Sequence, residues 1–236
     1  MTIADNIIIA NRQLATQIDG SATSAALNNY KSSFITAGAT ISVVCASTAG
    51  LPYLVMVFLP EEIGSCSMTI NGVTVSDTSI GNTLGIAQGA GKYLVYTGIG
   101  ATSAISITGL SSKKVSKILV SNYLQLQYNV PYGFSAGYED LSNMERSQAG
   151  DAIVSVGVKY KSMSIPIQHI SQNDKLNLYN ILKECGKSTP LFVSVMPTSE
   201  QERKQMYSIY GYLDNSAPIT ADNILLYSTS VSINEF

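Results

Sequence analysis

Acid–base and nucleophilic chemistry near neutral pH is most often carried by histidine, whose pKa lies there. The chain has one, His169. It closes an alternating polar–apolar run just before a helical stretch, a position that suits a structural or capping role. A Ser-His-Asp arrangement is formally open, but no Gly-x-Ser-x-Gly elbow accompanies it. Two Gly-Lys dipeptides invite a phosphate-loop reading, which requires Gly-x-x-x-x-Gly-Lys-Ser/Thr leading into a helix. Gly91-Lys92 has Ile86 in place of the first glycine and Tyr93 in place of the hydroxyl residue. Gly186-Lys187-Ser188 has Ile181 in place of the first glycine and ends a helical stretch, where the dipole repels an anion. Both read as turns. Glu61-Glu62 and Glu139-Asp140 are adjacent carboxylates on expected loops. Paired glycosidase carboxylates must converge in space, which adjacency alone does not supply, so solvated loops are the expectation. One histidine, scattered carboxylates and no Asp-x-Asp-x-Asp-Gly loop give no expected metal or cofactor site. The reading is a protein that is not an enzyme.

The composition suits packing better than chemistry. Hydrophobic residues make up 45% of the 236, enough for a real core, while charged residues are only 13%. Ordinary soluble domains carry about 25%. A surface of Ser, Thr, Asn, Gly and Tyr loses little solvation when another subunit covers it, because charges are the groups costliest to desolvate. A net charge of −2 gives no global attraction to nucleic acid or anionic lipid. Lys113, Lys114 and Lys117 form a local basic cluster, read as a solvated strand edge. Cys45, Cys66 and Cys185 are too few and too scattered for a disulfide framework or a zinc site, and read as small buried hydrophobes in a reducing compartment. The apolar run at residues 7–10 is too short for a signal-peptide core, and none approaches the ~20 residues of a membrane span. Neither secretion by that route nor membrane insertion is expected.

Residues 1–40 are polar and weakly patterned, and read as an N-terminal arm with short helices or extended chain at 6–17 and 22–30. From residue 41 the pattern turns to strands. Residues 53–59 are continuously apolar and stop at Pro60, as in a strand buried on both faces. Alternating runs flank Asn71-Gly72, the strongest short hairpin signal, because both turn positions want positive φ. Further strands are expected at 92–97, 105–108 and 115–126, which together suggest a jelly-roll-like β-sandwich over residues 41–126. The remainder, 127–236, reads as a β-barrel or sandwich carrying one helix at 172–185. Ser171 and Asp174 make a capping-box-like start, Leu178, Ile181, Leu182 and Cys185 form one apolar stripe, and Gly186 stops it. Alternating runs at 151–158 and 159–168, and strands at 191–196, 206–213 and 223–233, complete a mainly β chain. Residues 198–205 read as a solvated hairpin tip.

Binding is the remaining class of function. The chain has fourteen tyrosines and no tryptophan. Tyr128, Tyr132, Phe134 and Tyr138 crowd one connector and are the candidate interface, either as a contact patch or as a plug between the two halves.

The second half resembles structural proteins of tailed bacteriophages, in the group of tail-tube-like, distal-tail and adaptor proteins. The resemblance covers residues 123–236. It rests on Asn143-Met144-Glu145-Arg146-Ser147-Gln148-Ala149-Gly150, the strand at 160–167, the helix ending at Gly186, and Pro190-Leu191-Phe192-Val193-Ser194-Val195-Met196-Pro197. It continues through Tyr210-Gly211-Tyr212-Leu213 and a closing strand into Glu235. The first half looks like the galactose-binding-type jelly rolls that sometimes precede such domains. The resemblance implies a virion component assembled in the host cytoplasm, a subunit repeated in a ring, with copies of itself and neighbouring tail proteins as partners. It supplies no catalytic, cofactor or metal residue. A carbohydrate-binding module that attaches to host surface glycans is the alternative, and a hydrolase with an unrecognised site is the third reading.

Overall fold

A strand with apolar side chains at every position needs a packed layer on each side, and residues 52–59 impose that requirement on the rest of the chain. A computed structural model describes residues 6–30, 32–48, 50–60, 66–77, 92–128, 130–131, 133–196, 206–214 and 217–236, with the backbone alone at 66 and 75–77. The first half supplies β1 (Ile8–Ala10), β2 (Ala15–Ile18), a 3₁₀ turn (Ala25–Leu27), β3 (Ile35–Thr36), β4 (Thr40–Cys45), β5 (Pro52–Leu59) and β6 (Cys66–Ile70). It continues with β7 (Val73–Asp77), β8 (Lys92–Ile99), β9 (Ala104–Thr108), β10 (Lys114–Val115), β11 (Lys117–Asn122) and β12 (Leu124–Gln125). The second half holds β13 (Ser135–Asp140), β14 (Asn143–Arg146), β15 (Ala152–Ser155), β16 (Lys159–Ile170) and α1 (Gln172–Cys185). It ends with β17 (Leu191–Ser194), β18 (Ser208–Leu213), β19 (Thr220–Ala221) and β20 (Tyr227–Glu235).

These strands form stacked layers. The outermost is a five-stranded antiparallel sheet in the order β2-β4-β9-β6-β7. It alternates cleanly, with Ile41, Val43, Ile105 and Ile107 inward and Thr40, Ser42 and Ser106 outward. The β6–β7 turn has φ of 48° at Asn71 and 84° at Gly72, the left-handed pair that the hairpin demands. Beneath it lies the three-stranded sheet β11-β5-β8. Val55, Val57, Leu59, Ile118 and Val120 close the sandwich core. Leu54, Met56, Phe58, Leu119 and Tyr93 face the opposite way, onto Ile8, Ala10, Phe192 and Tyr210.

Those last residues belong to an eight-stranded sheet in the order β12-β1-β17-β18-β20-β16-β13, with β19 beside β20. Its far face carries Ile9, Ile165, Val193, Ile209 and Val231 and is covered by α1 through Leu178 and Cys185. The helix is capped as its sequence predicts. The Ser171 hydroxyl accepts from the Asp174 N–H at 3.2 Å, and Gly186, at φ 49°, donates its N–H to the Leu182 carbonyl.

Three expectations change. The stretch read as an arm is built into the sheets: β1 lies between β12 and β17, and β2 edges the five-stranded sheet. Consecutive isoleucines at 7–9 are β-branched and feed two different cores, Ile7 and Ile9 to one side and Ile8 to the other, which a strand allows and a helix does not. At 22–30 only the short 3₁₀ turn forms. The alternating run at 151–158, which reads as a half-buried strand, contributes β15, exposed at every position. Residues 198–205 lie outside the described ones, although β17 and β18 do pair antiparallel.

Because Ile9 is 2% exposed in the core under α1, Ile9→Ala is expected to cost about 2–4 kcal/mol, read as a lowered urea midpoint. An arm lying loosely on the surface would lose almost nothing.

Candidate assembly surface

The residues singled out for chemistry are dispersed. His169 is exposed on a bulge near the end of β16, at φ 57°, and the helix cap beside it is Ser171. Glu139 and Asp140 lie on β13, not on a loop, so their side chains point to opposite faces and diverge. Asp140 accepts hydrogen bonds from the hydroxyl and N–H of Ser142 and stands 3.2 Å from the Lys159 ammonium, which together hold its carboxyl down at about 2. Glu61, Glu62 and Gly91 lie outside the described residues. Cys45 and Cys185 are buried thiols; burial raises both pKa values, that of Cys185 to about 11. The Cys66 side chain is outside the described set. Among the described residues no three His, Cys, Asp or Glu side chains gather as metal ligands. The cavity under α1 is lined only by apolar side chains, Ile9, Ile167, Leu178 and Val231 among them, and reads as a packing gap.

The basic cluster needs correction at one residue. Lys117 is not a solvated edge; it is 2% exposed, at the seam between the three-stranded and eight-stranded sheets. Its ammonium donates to the Leu27 carbonyl and to Asn29 Oδ1, each at 2.7 Å, and lies 5.6 Å from the Tyr210 ring centre. The Tyr210 hydroxyl donates to the same Asn29 oxygen at 3.0 Å. A strand residue whose alternate neighbour Leu119 faces inward must itself point inward, and the 3₁₀ turn brings carbonyls to meet it. Lys161 is a second buried cation, 4% exposed, donating to the Ser208 carbonyl at 2.7 Å beyond the last residue of β20. Glu235, facing it across the register, accepts from the Tyr93 hydroxyl at 2.6 Å, and that oxygen in turn accepts from the Tyr210 N–H at 3.3 Å. Desolvation lowers both lysines to about 8, opposed at Lys161 by the Glu235 charge.

Three of the four candidate aromatic residues are described. Phe134 packs edge-on against Tyr207, with ring centres 5.0 Å apart, at the border of the core under α1. Tyr138 is exposed on β13 opposite Lys161. Tyr128 is exposed next to Gln127, whose N–H donates to Asp174 at the start of α1. Tyr132 lies outside the described residues.

A different element carries a row of exposed apolar side chains. Among the described residues the β14–β15 hairpin pairs only with itself, and every residue of both strands is exposed. Leu141, Met144, Ile153, Val154, Val156 and Val158 are each more than half exposed, Val156 at 85%. Two strands without a covering face are marginal in water on their own. The hairpin is nevertheless clamped at its base. The Leu141 N–H donates to the Val158 carbonyl at 3.2 Å, the Gly157 N–H to the Ser142 hydroxyl at 2.9 Å, and Asp140 pairs with Lys159. A Cβ at Gly157 would collide with the Leu141 carbonyl and the Ser142 nitrogen, so the two chains cross there at backbone contact. The alternation at 151–158 was the available signal; what a sequence does not reveal is that, among the described residues, these side chains stay exposed.

The chain is thus a mainly β protein of layered antiparallel sheets, with one α-helix among the described residues. No family model matches it, and no curated protein does. Among solved structures it is similar to CBM35 from Cellvibrio japonicus Abf62, at 13% identity and a TM-score of 0.30, over 50% of this chain and 96% of that one. Among the described residues, no helix is long and apolar enough to cross a membrane.

The buried lysines make stability depend on pH in a defined sense. Between about 8 and the ordinary 10.5 the unfolded chain holds protons that folded Lys117 and Lys161 have released, so stability rises with pH by at most ~1.4 kcal/mol per unit for each lysine. Tyr93 and Tyr210 are pushed above 10 by burial, so above that pH the unfolded chain loses protons that the folded chain keeps, and stability falls. Urea midpoints measured across this range are expected to peak between those limits. Lys117→Met is expected to halve the rise.

Proposed function

We propose that this chain is a structural subunit of a bacteriophage virion, assembling in repeated copies in the tail or tail-adaptor region. The observation that carries the reading is the β14–β15 hairpin, an ordered element with six apolar side chains that are exposed among the described residues. Low charge supports it, since the faces around such an arm can be covered at little electrostatic cost. The resemblance of residues 123–236 to tail-tube-like and adaptor proteins supplies the setting. Under this reading the partners are copies of the chain and neighbouring virion proteins, and the first-half sandwich braces or decorates the outside of the assembly.

Light scattering or native mass spectrometry across concentration, followed by negative-stain imaging, tests it. Closed oligomers or rings are expected. A protein that stays monomeric at high concentration with neighbouring virion proteins present, and that instead binds a saccharide on titration, overturns it. Gly157→Ala, which must displace the hairpin base, is expected to weaken assembly at least tenfold. Its unfolding free energy from urea titration should change by less than ~1 kcal/mol, because the hairpin contributes to none of the cores.

A further inference from the structure

Among the buried polar groups of the seam, one pair sets a nucleophile against an electrophile. Lys117 Nζ and Asn29 Oδ1 meet at 2.7 Å, and the same oxygen accepts from the Tyr210 hydroxyl at 3.0 Å. Two donors converging on one atom identify it as the amide oxygen, because the amide nitrogen only donates. Three elements bring these groups together: β11 carries Lys117, the segment just after the 3₁₀ turn carries Asn29, and β18 carries Tyr210. A second hydrogen bond, from Nζ to the Leu27 carbonyl at 2.7 Å, fixes the nitrogen. Phe58, the cross-strand neighbour of Lys117, and Phe236, edge-on to Tyr210, keep the surroundings apolar.

We propose that Lys117 and Asn29 become joined after folding by an amide bond between the lysine nitrogen and the asparagine side-chain carbonyl carbon. The neutral Nζ attacks Cγ, and the Cγ–Nδ2 bond breaks. One proton passes from Nζ to the departing nitrogen, which leaves as ammonia. One C–N bond replaces another, so the step needs no oxidant or reductant. The Tyr210 hydroxyl touches the reacting carbonyl and donates to the oxygen that turns negative during attack, which makes it the catalytic residue.

The surroundings favour each requirement. Burial lowers Lys117 to about 8, so that roughly one amine in ten is neutral at pH 7. Among the described residues no carboxylate charge holds its proton on. The titratable groups beside it are Tyr210 and, accepting from the Tyr210 N–H, Tyr93; burial pushes both up, so both hydroxyls stay protonated. Amides resist amines in water, but partners held in contact reach effective molarities on the order of 10⁵–10⁸ M. Asn29 is half-buried between exposed Asn28 and Tyr30, which gives the ammonia a way out. The bond forms within a single copy and closes residues 29–117, the greater part of the sandwich, into one covalent loop. Such a loop restricts the unfolded chain more than the folded one. Once the amide has formed, Lys161 is the buried lysine left to raise stability with pH.

Intact-mass spectrometry of the full chain, with peptide mapping after digestion, tests this. The expected mass lies below that of the sequence by one ammonia, with one branched peptide joining the stretches around Asn29 and Lys117. Asn29→Ala and Lys117→Met are each expected to restore the sequence mass. Tyr210→Phe, which keeps the ring and loses the hydroxyl, is expected to slow the joining at least about tenfold in samples taken at intervals after expression. A chain that keeps its sequence mass after prolonged incubation at mildly alkaline pH overturns the proposal. So does a lost ammonia that maps to ring closure at Asn71-Gly72 and leaves residues 29 and 117 unjoined.

Discussion

The three-stranded sheet β11-β5-β8 has no wet face, and its burial dictates the arrangement of the other layers. From Tyr53 to Leu59 every side chain of β5 is buried, and β5 is hydrogen-bonded along its length to β8 on one edge and β11 on the other. Its backbone polar groups therefore need no water, and its apolar side chains need two covering layers. The five-stranded sheet supplies one cover. The other is the sheet of the second half, so the two halves are joined by a core, not by a tether. Phe58, Tyr93, Phe192, Tyr210 and Phe236 stack across that seam with ring centres 4.9 to 6.3 Å apart. β1, encoded before the sandwich yet paired inside the far sheet, makes the join topological as well as apolar.

Such a seam would tolerate sliding if it were apolar throughout, and its buried polar groups oppose that. Lys117 and Tyr210 share one acceptor, Asn29, which arrives from a third element. Tyr93 of the sandwich reaches Glu235 of the far sheet, next to Lys161. Buried charges contribute little net stability, because desolvation offsets their attraction, but a displaced one is left unsatisfied at several kcal/mol. In this docking of the two sheets both lysines find acceptors, Lys117 at Leu27 and Asn29 and Lys161 at Ser208.

What the sequence disclosed was local, and what it withheld depended on distant partners. The Asn71-Gly72 turn, the doubly buried run at 53–59 and the helix from its Ser171 cap to Gly186 are each specified by residues within a few positions, and each was legible. The burial of Lys117 was not, because its acceptors lie about ninety residues earlier in the chain. Nor was the place of β1, whose partners are Gln125 and Ser194. Glu139 and Asp140 looked like loop carboxylates because a polar edge strand and a loop have the same composition. Of the candidate aromatic residues, Tyr138 lies on β13, Phe134 borders the core under α1 and Tyr128 lies near the start of α1.

The hairpin shows the limit most clearly. Alternation at 151–158 says that one face is apolar; it does not say whose core that face belongs to. In the strands of the cores the answer lies within the same copy, whereas β15, among the described residues, is exposed at every position. An element with that pattern is usually ordered by its cover, yet here the base does the ordering, through Ser142, Gly157 and the Asp140–Lys159 pair. The clamp at Gly157 thus holds the arm in one arrangement at its base, the condition under which an exposed element binds without first having to be ordered.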